Sequence, residues 1–246
     1  ALEIGADLWE LDVAVTSDNE LIVVHDDTLN RTCNVAEKFP KRIPWNVWEF
    51  TLEEVKTLDC GTWFINTDPF EQIKKGNVTD VEANSYRGEK IPTLREAIQF
   101  THDNQWRVNI ELKDQVLDKF DNVIVEKTVA LVEEFGMDDG KQVVISSFNH
   151  DYLKVVSAIN PNIPVQVLTS EKIDNLSEYL QGFGTDSCNP RVTVWNKGEL
   201  EKYSQAGIKF FIWTVNDPAK MKELIDVPVA GIFTDYPQVL KELLIP

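Results

Sequence analysis

Two segments of this chain alternate apolar and charged residues so that carboxylates stand side by side. In LWELDVAV (residues 8–15), Trp9, Leu11, Val13 and Val15 fall on one face of an extended strand. Glu10, Asp12 and Ala14 fall on the other, because strand side chains alternate. In a parallel barrel the apolar face meets the surrounding helices, which leaves Glu10 and Asp12 pointing inward. Two carboxylates held together repel unless a proton or a cation joins them. Hard oxygen ligands at this spacing suit Mg2+ or Ca2+; a strand end open to solvent would tolerate the same pair. RVNIELK (107–113) repeats the pattern, with Val108, Ile110 and Leu112 apolar and Asn109, Glu111 and Lys113 inward. Three carboxylates from two strands complete a divalent site, beside which Lys113 is placed to bind an anion. A Glu111–Lys113 ion pair without metal would account for the same two residues, since buried charge is costly chiefly when unpaired.

His25 ends LIVVH and precedes Asp26-Asp27. At the C-terminal end of a barrel strand it lies on the face where such folds place their sites. Its pKa range suits general acid–base work, although a single histidine is as readily structural. His102 and His150 fall at helix ends, as surface or capping residues. Trp213, in FFIWTVN, lies near the end of a late strand. It either walls a pocket over a glycerol-like or sugar-like group or packs in the core. Three triplets beginning at Asn30, Asn77 and Asn175 match the glycosylation sequon, which carries meaning only once the compartment is known.

These side chains need strands to carry them. Strands are expected at 8–15, 21–25, 107–113, 142–146, 165–168, 209–215 and 231–234, with a weak one near 186–191. Helices are expected at 121–135, 150–158, 173–181, 197–205, 218–225 and 237–244. Strand then helix, repeated, predicts parallel strands joined by right-handed crossovers. The short regular units after Arg107 favour a (β/α)8 barrel over an open doubly wound sheet. Residues of about 35–88 break the rhythm and read as an insertion packed over one end of the barrel. Within it TLEE predicts a capping box, Thr51 with Glu54. A second helix start, Thr93 with Glu96, follows Pro92. The whole chain, 1–246, is expected to form one domain.

With 24 Lys plus Arg against 41 Asp plus Glu, the net charge is −17. Such a surface repels nucleic acid and anionic membranes, so neither is expected as a partner. An apolar share of 43% and a charged share of 26% exclude a disordered or fibrous chain. No run approaches the ~18 apolar residues of a membrane span. Cys33, Cys60 and Cys188 are odd in number and form no CxxC pair. They are expected as packing residues or free thiols, not as a zinc site or a disulfide framework. The opening ALEIGADLWELDV has neither the basic start nor the cleavage site of a signal peptide. It reads as the end of a helix, so the chain looks like a fragment that begins mid-domain.

Together the motifs resemble those of the glycerophosphodiester phosphodiesterase family. ELDVAVTSDNELIVVHDDTLNRT is similar to that family's strand–hairpin segment, and IPTLREAI, NIELK, ISSFNH, IWTVND and GIFTDYP to its later blocks, in order. The resemblance spans nearly the whole chain. It implies a TIM (β/α)8 barrel with a small insertion after the second strand, and a divalent metal, Mg2+ or Ca2+, held by Glu10, Asp12 and Glu111. It implies that His25 is one of two catalytic histidines, that Lys113 contacts phosphate and that Trp213 lines the alcohol pocket. The implied reaction splits a small-molecule glycerophosphodiester into glycerol 3-phosphate and an alcohol. The family's His-Arg-Gly and Glu-Asn-Thr blocks have no counterpart here, so the first βα unit, with the other histidine, is missing from this chain. Cys33 stands where the family usually has Thr. Two alternatives stay open. One is a phospholipase D-like relative acting on lysolipids or sphingomyelin, which should carry an apolar surface loop. The other is a non-catalytic barrel that has lost its first histidine. Head group, compartment and oligomeric state are not legible.

Overall fold

The computed structural model describes residues 1–245. In chain order the elements are β1 (Trp9–Val15), β2 (Leu21–Val23), α1 (Val35–Lys38), α2 (Leu52–Lys56), α3 (Thr62–Thr67), α4 (Asp80–Ser85), α5 (Leu94–Asp103), β3 (Val108–Leu112), α6 (Asp121–Glu134), β4 (Val143–Ser147), α7 (His150–Ile159), β5 (Val165–Thr169), α8 (Leu176–Gln181), β6 (Ser187–Pro190), α9 (Lys197–Gln205), β7 (Lys209–Ile212), α10 (Pro218–Ile225), β8 (Gly231–Ile232) and α11 (Pro237–Leu244). The chain divides into two compact units.

The first unit comprises Ala1–Leu11, Phe100–Asp114 and the chain from Val129 onward. It holds the start of β1 and the strands β3 to β8, hydrogen-bonded in the order β1-β3-β4-β5-β6-β7-β8. From β3 to β8 every pair is parallel. A helix follows each strand, because a parallel neighbour must be reached by a crossover. Strands β4, β5 and β6 are buried at every residue, as expected where both faces of a parallel sheet are covered. Their apolar residues, Val143, Ile145, Val165, Val167 and Cys188 among them, form the core. Helix starts follow local chemistry. Asn196 and Glu199 form a capping box on α9, and Asp217 caps α10 ahead of Pro218.

The second unit comprises Asp12–Gln99 and Gln115–Thr128. Here β1 and β2 pair antiparallel, with Val13 opposite Val23 and Val15 opposite Leu21. The rule of parallel neighbours fails at this pair. Residues 16–20 are too few for a crossover and close a hairpin instead, with Asn19 in the left-handed region at φ 64. Residues 35–88 fold as four short α-helices and one 3-10 turn, Val47–Glu49. Val35, Val47, Phe50, Val55 and Leu58 pack with Ile22 and Leu29 in one apolar cluster. The Thr51–Glu54 capping box forms as predicted, and Thr93 and Glu96 bond reciprocally at the start of α5.

The expectation for the cysteines is wrong in one respect. Cys33 and Cys60 form a disulfide. They are 27 residues apart, so only the folding of the intervening helices brings them together. Cys188 is free and buried as expected, and burial pushes its thiol up to about 12. Native protein treated with iodoacetamide at pH 8 should therefore carry no label at Cys188, and none at Cys33 or Cys60 until a reductant is added. Mass spectrometry reads the sites; labelling of Cys33 and Cys60 without reductant would contradict the disulfide.

Candidate active site

The Trp9 N–H donates to the Arg107 carbonyl at 3.1 Å, which sets β1 against β3. Apolar residues take the outward face, with Leu11, Val13, Ile110 and Leu112 buried. The carboxylates are left on the inward one. Glu10, Asp12 and Glu111 each present an oxygen, and the three oxygens lie within 4.8 Å of one another. Glu10 reaches solvent, while Asp12 and Glu111 are largely buried. Lys113 Nζ stands 3.5 Å from Glu111 Oε1, so the ion pair anticipated as an alternative is formed as well. One ammonium offsets only part of the charge of three carboxylates. The donor set is all hard oxygen, of the kind that suits Mg2+ or Ca2+ and that neither zinc nor copper favours. The residues present therefore fit a divalent cation.

Next along these strands lies a buried amide layer that sequence reasoning missed. Asn109 Nδ2 and Asn189 Nδ2 both donate to Gln166 Oε1 at 2.8 Å. The Ser146 hydroxyl donates to Asn109 Oδ1 at 2.6 Å. Asn109 is two residues before Glu111, and Ser146 is the register partner of Glu111. Buried polar groups that bond one another hold strands in one register, although Asn189 Oδ1 is left here without a partner. Their signal was a polar residue in each of several otherwise apolar strands.

His25 follows directly on the hairpin. The Val24 N–H donates to the Asp12 carbonyl at 3.0 Å, so the imidazole leaves the backbone one residue beyond a contact with a cluster member. Its Nδ1 lies 2.8 Å from Asp26 Oδ1, and the ring is largely exposed. Arg31 grips Asp26 with two nitrogens, Nε on Oδ2 and Nη2 on Oδ1 at 2.8 Å. This guanidinium, more than the imidazole, holds the Asp26 carboxyl below the usual carboxylate range. A depressed carboxyl favours the folded state above its ordinary pKa, and the contribution fades as pH falls through the lowered value. Asp26 and Arg31 were not singled out from the sequence.

Trp213 follows β7, with its indole N–H donating to the Asn189 carbonyl at 2.7 Å. Its ring meets Phe148 edge-on at 5.5 Å. Phe148 is among the exposed large apolar side chains, so the pair presents aromatic surface and is not wholly core. His102 is exposed in the last turn of α5, as expected. His150 opens α7, where Asn149 is the cap. Its ring is tied to the Tyr179 hydroxyl at 2.6 Å and the Leu168 carbonyl at 2.8 Å, a structural role.

Residues 1–239 match the model of the glycerophosphoryl diester phosphodiesterase family. A glycerophosphodiester phosphodiesterase of Caldanaerobacter subterraneus is 33% identical over 243 residues, covering 99% of this chain and 88% of that protein. One of Bacillus subtilis is 31% identical, covering 99% and 78%. Among solved structures, an Oleispira antarctica phosphodiesterase in complex with its product sn-glycerol-3-phosphate shares the fold, with a TM-score of 0.79 at 22% identity over 99% of this chain and 87% of that one. A glycerophosphodiester phosphodiesterase of Parabacteroides distasonis also shares it, at 0.73 and 24% over 98% and 85%.

The converging carboxylates make a direct prediction. Calorimetric titration of the protein with Mg2+ and with Ca2+ should give saturable binding by at least one of them. Glu111→Gln should weaken it about tenfold or more, because one of three anionic oxygens is lost. Equal affinity in the variant would remove Glu111 from the site.

Proposed function

The chain belongs to the glycerophosphoryl diester phosphodiesterase family, and from that premise we propose that it hydrolyses glycerophosphodiesters to glycerol 3-phosphate and a free alcohol. The observation that carries the proposal is the convergence of Glu10, Asp12 and Glu111 within 4.8 Å. These three would hold Mg2+ or Ca2+. Such a cation, when bound, offsets negative charge at phosphoryl oxygens.

The chain's own residues divide the remaining work. Lys113, beside Glu111, faces the phosphate and adds a second positive charge. His25 takes the proton of the glycerol hydroxyl as its oxygen attacks phosphorus and returns it to that oxygen in the second step, while the family's second histidine would protonate the leaving alcohol and then take a proton from water. The first attack expels the alcohol, which leaves with a proton, and forms a cyclic phosphate; water then opens the ring to glycerol 3-phosphate. The exposed aromatic pair Phe148–Trp213 supports a role for Trp213 in lining the alcohol pocket. The net charge of −17 disfavours nucleic acid as a partner.

The same reading makes residues 1–246 one TIM-barrel domain with an insertion at about 35–88, lacking the family's first βα unit, the one that carries the second histidine. A cavity of about 760 Å³ beside β1 and β8 supports that reading. It is lined by Leu8–Glu10, Gly231–Asp235 and the α11 residues Leu240 and Leu244. Both residues of β8 are only half-buried, although they belong to a parallel sheet.

A protein that carries the family's first βα unit should hydrolyse glycerophosphocholine or a related diester, and a chelator should abolish the activity. His25→Ala should lower turnover by about 10²-fold or more with cation affinity nearly unchanged, as expected of a proton-transfer residue. Turnover that survives chelation, or that survives His25→Ala, would overturn the reading. Loss of cation binding in His25→Ala would make His25 a ligand instead.

A further inference from the structure

The loop that leaves β2 is built around one ion pair, and that pair has a second line of support. Asp26 accepts from both ends of the Arg31 guanidinium and sits on His25 Nδ1. Arg31 in turn lies over the indole of Trp63, 5.8 Å from the ring centroid. Trp63 is on α3, two residues after Gly61, and Arg31 is two residues before Cys33. The Cys33–Cys60 disulfide therefore ties together the two segments that hold the guanidinium: the one that carries it and the one on which it rests. Asn34 and Asp59 pair beside the disulfide through two hydrogen bonds, 3.0 and 2.8 Å long.

An exposed histidine bonded to an adjacent aspartate is of small consequence by itself. Here the aspartate is fixed from behind. A bidentate guanidinium sets the plane of a carboxylate as well as its position, and cation–π contact with Trp63 sets the guanidinium. With Asp26 as acceptor, Nδ1 carries the proton of the neutral ring. Nε2 is then the basic nitrogen, directed away from Asp26.

We propose that Asp26 and Arg31 are positioning residues that fix the orientation and tautomer of His25, and that the Cys33–Cys60 disulfide, by anchoring Arg31 and Trp63 to one another, makes this orientation sensitive to redox state. The proposal rests on the catalytic role of His25 set out above. The expected consequence is an enzyme whose turnover is highest in an oxidising compartment, where such a bond persists. Reduction needs a two-electron thiol or phosphine reductant and yields two thiols at Cys33 and Cys60.

Two measurements test it. In the 246-residue chain, which has three histidines, long-range 1H–15N spectra report each ring tautomer without reference to activity. His25 should show the Nδ1–H form when oxidised. It should shift toward mixed tautomers in Asp26→Asn and Arg31→Leu, and in protein reduced with a phosphine whose circular dichroism is unchanged. In a protein that also carries the family's first βα unit, Asp26→Asn and reduction should each lower kcat by about tenfold while KM and cation affinity hold, with kcat restored on reoxidation. Cys33→Ser with Cys60→Ser should match the reduced protein and no longer respond to reductant. An unchanged His25 tautomer in Asp26→Asn would overturn the positioning role. An unchanged tautomer and kcat on reduction would overturn the redox dependence. If His25→Ala itself left turnover intact, the functional reading would fail, and the tautomer measurement would still decide the geometry.

Discussion

Like charges brought within a few ångströms set the terms for the rest of the structure. Glu10, Asp12 and Glu111 converge within 4.8 Å, and in a largely buried setting that arrangement raises the free energy of the fold unless positive charge or protons enter it. A protein evolved for stability alone has no need of three carboxylates there. Lys113, just past the strand that carries Glu111, offsets part of the charge. A divalent cation would offset the rest, and the donors are of the kind it favours. The ion pair and the metal site are therefore complementary: the ammonium lies beside the carboxylates, where an anionic substrate would also arrive.

The scaffold keeps those charges together against their repulsion. Strand β3 pairs with β4 in parallel register, and an apolar outer face fixes which side chains point inward. The amides of Asn109, Gln166 and Asn189, with the Ser146 hydroxyl, bond across β3 to β6 and resist slippage. A one-residue slip would turn every inward carboxylate outward. The hairpin adds His25 by a shorter route, since β2 bonds to the same strand that carries Asp12.

Much of this was legible in the sequence because local rules carried it. Helices α9, α10 and α11 begin and end where the caps and prolines place them. Alternation in LWELDVAV and RVNIELK assigned the faces of β1 and β3 and so found the carboxylates. The strands themselves came out shorter than the apolar runs; the run to Val215, for example, stops at Ile212, although Trp213 still bridges Arg191 and the Val215 N–H still bonds the Phe233 carbonyl. Long-range pairings were not legible. Cys33 and Cys60 meet only after α1 and α2 have folded, and composition argued against a bridge. The Asp26–Arg31 grip depends on the path of a short loop. Of the buried amides only Asn109 was placed, by alternation in RVNIELK; Gln166 and Asn189 lie in strands buried on both faces, which show no alternation.

The central claim is that Glu10, Asp12 and Glu111 grip one divalent cation. Anomalous diffraction from crystals soaked in Mn2+, a stand-in for Mg2+, or in Ca2+ tests it most directly. The account predicts a single strong peak with an oxygen of each of the three carboxylates at about 2.0–2.6 Å. A map with no peak among them, or with the three carboxylates turned apart and Lys113 bonded to Glu111 alone, would contradict it.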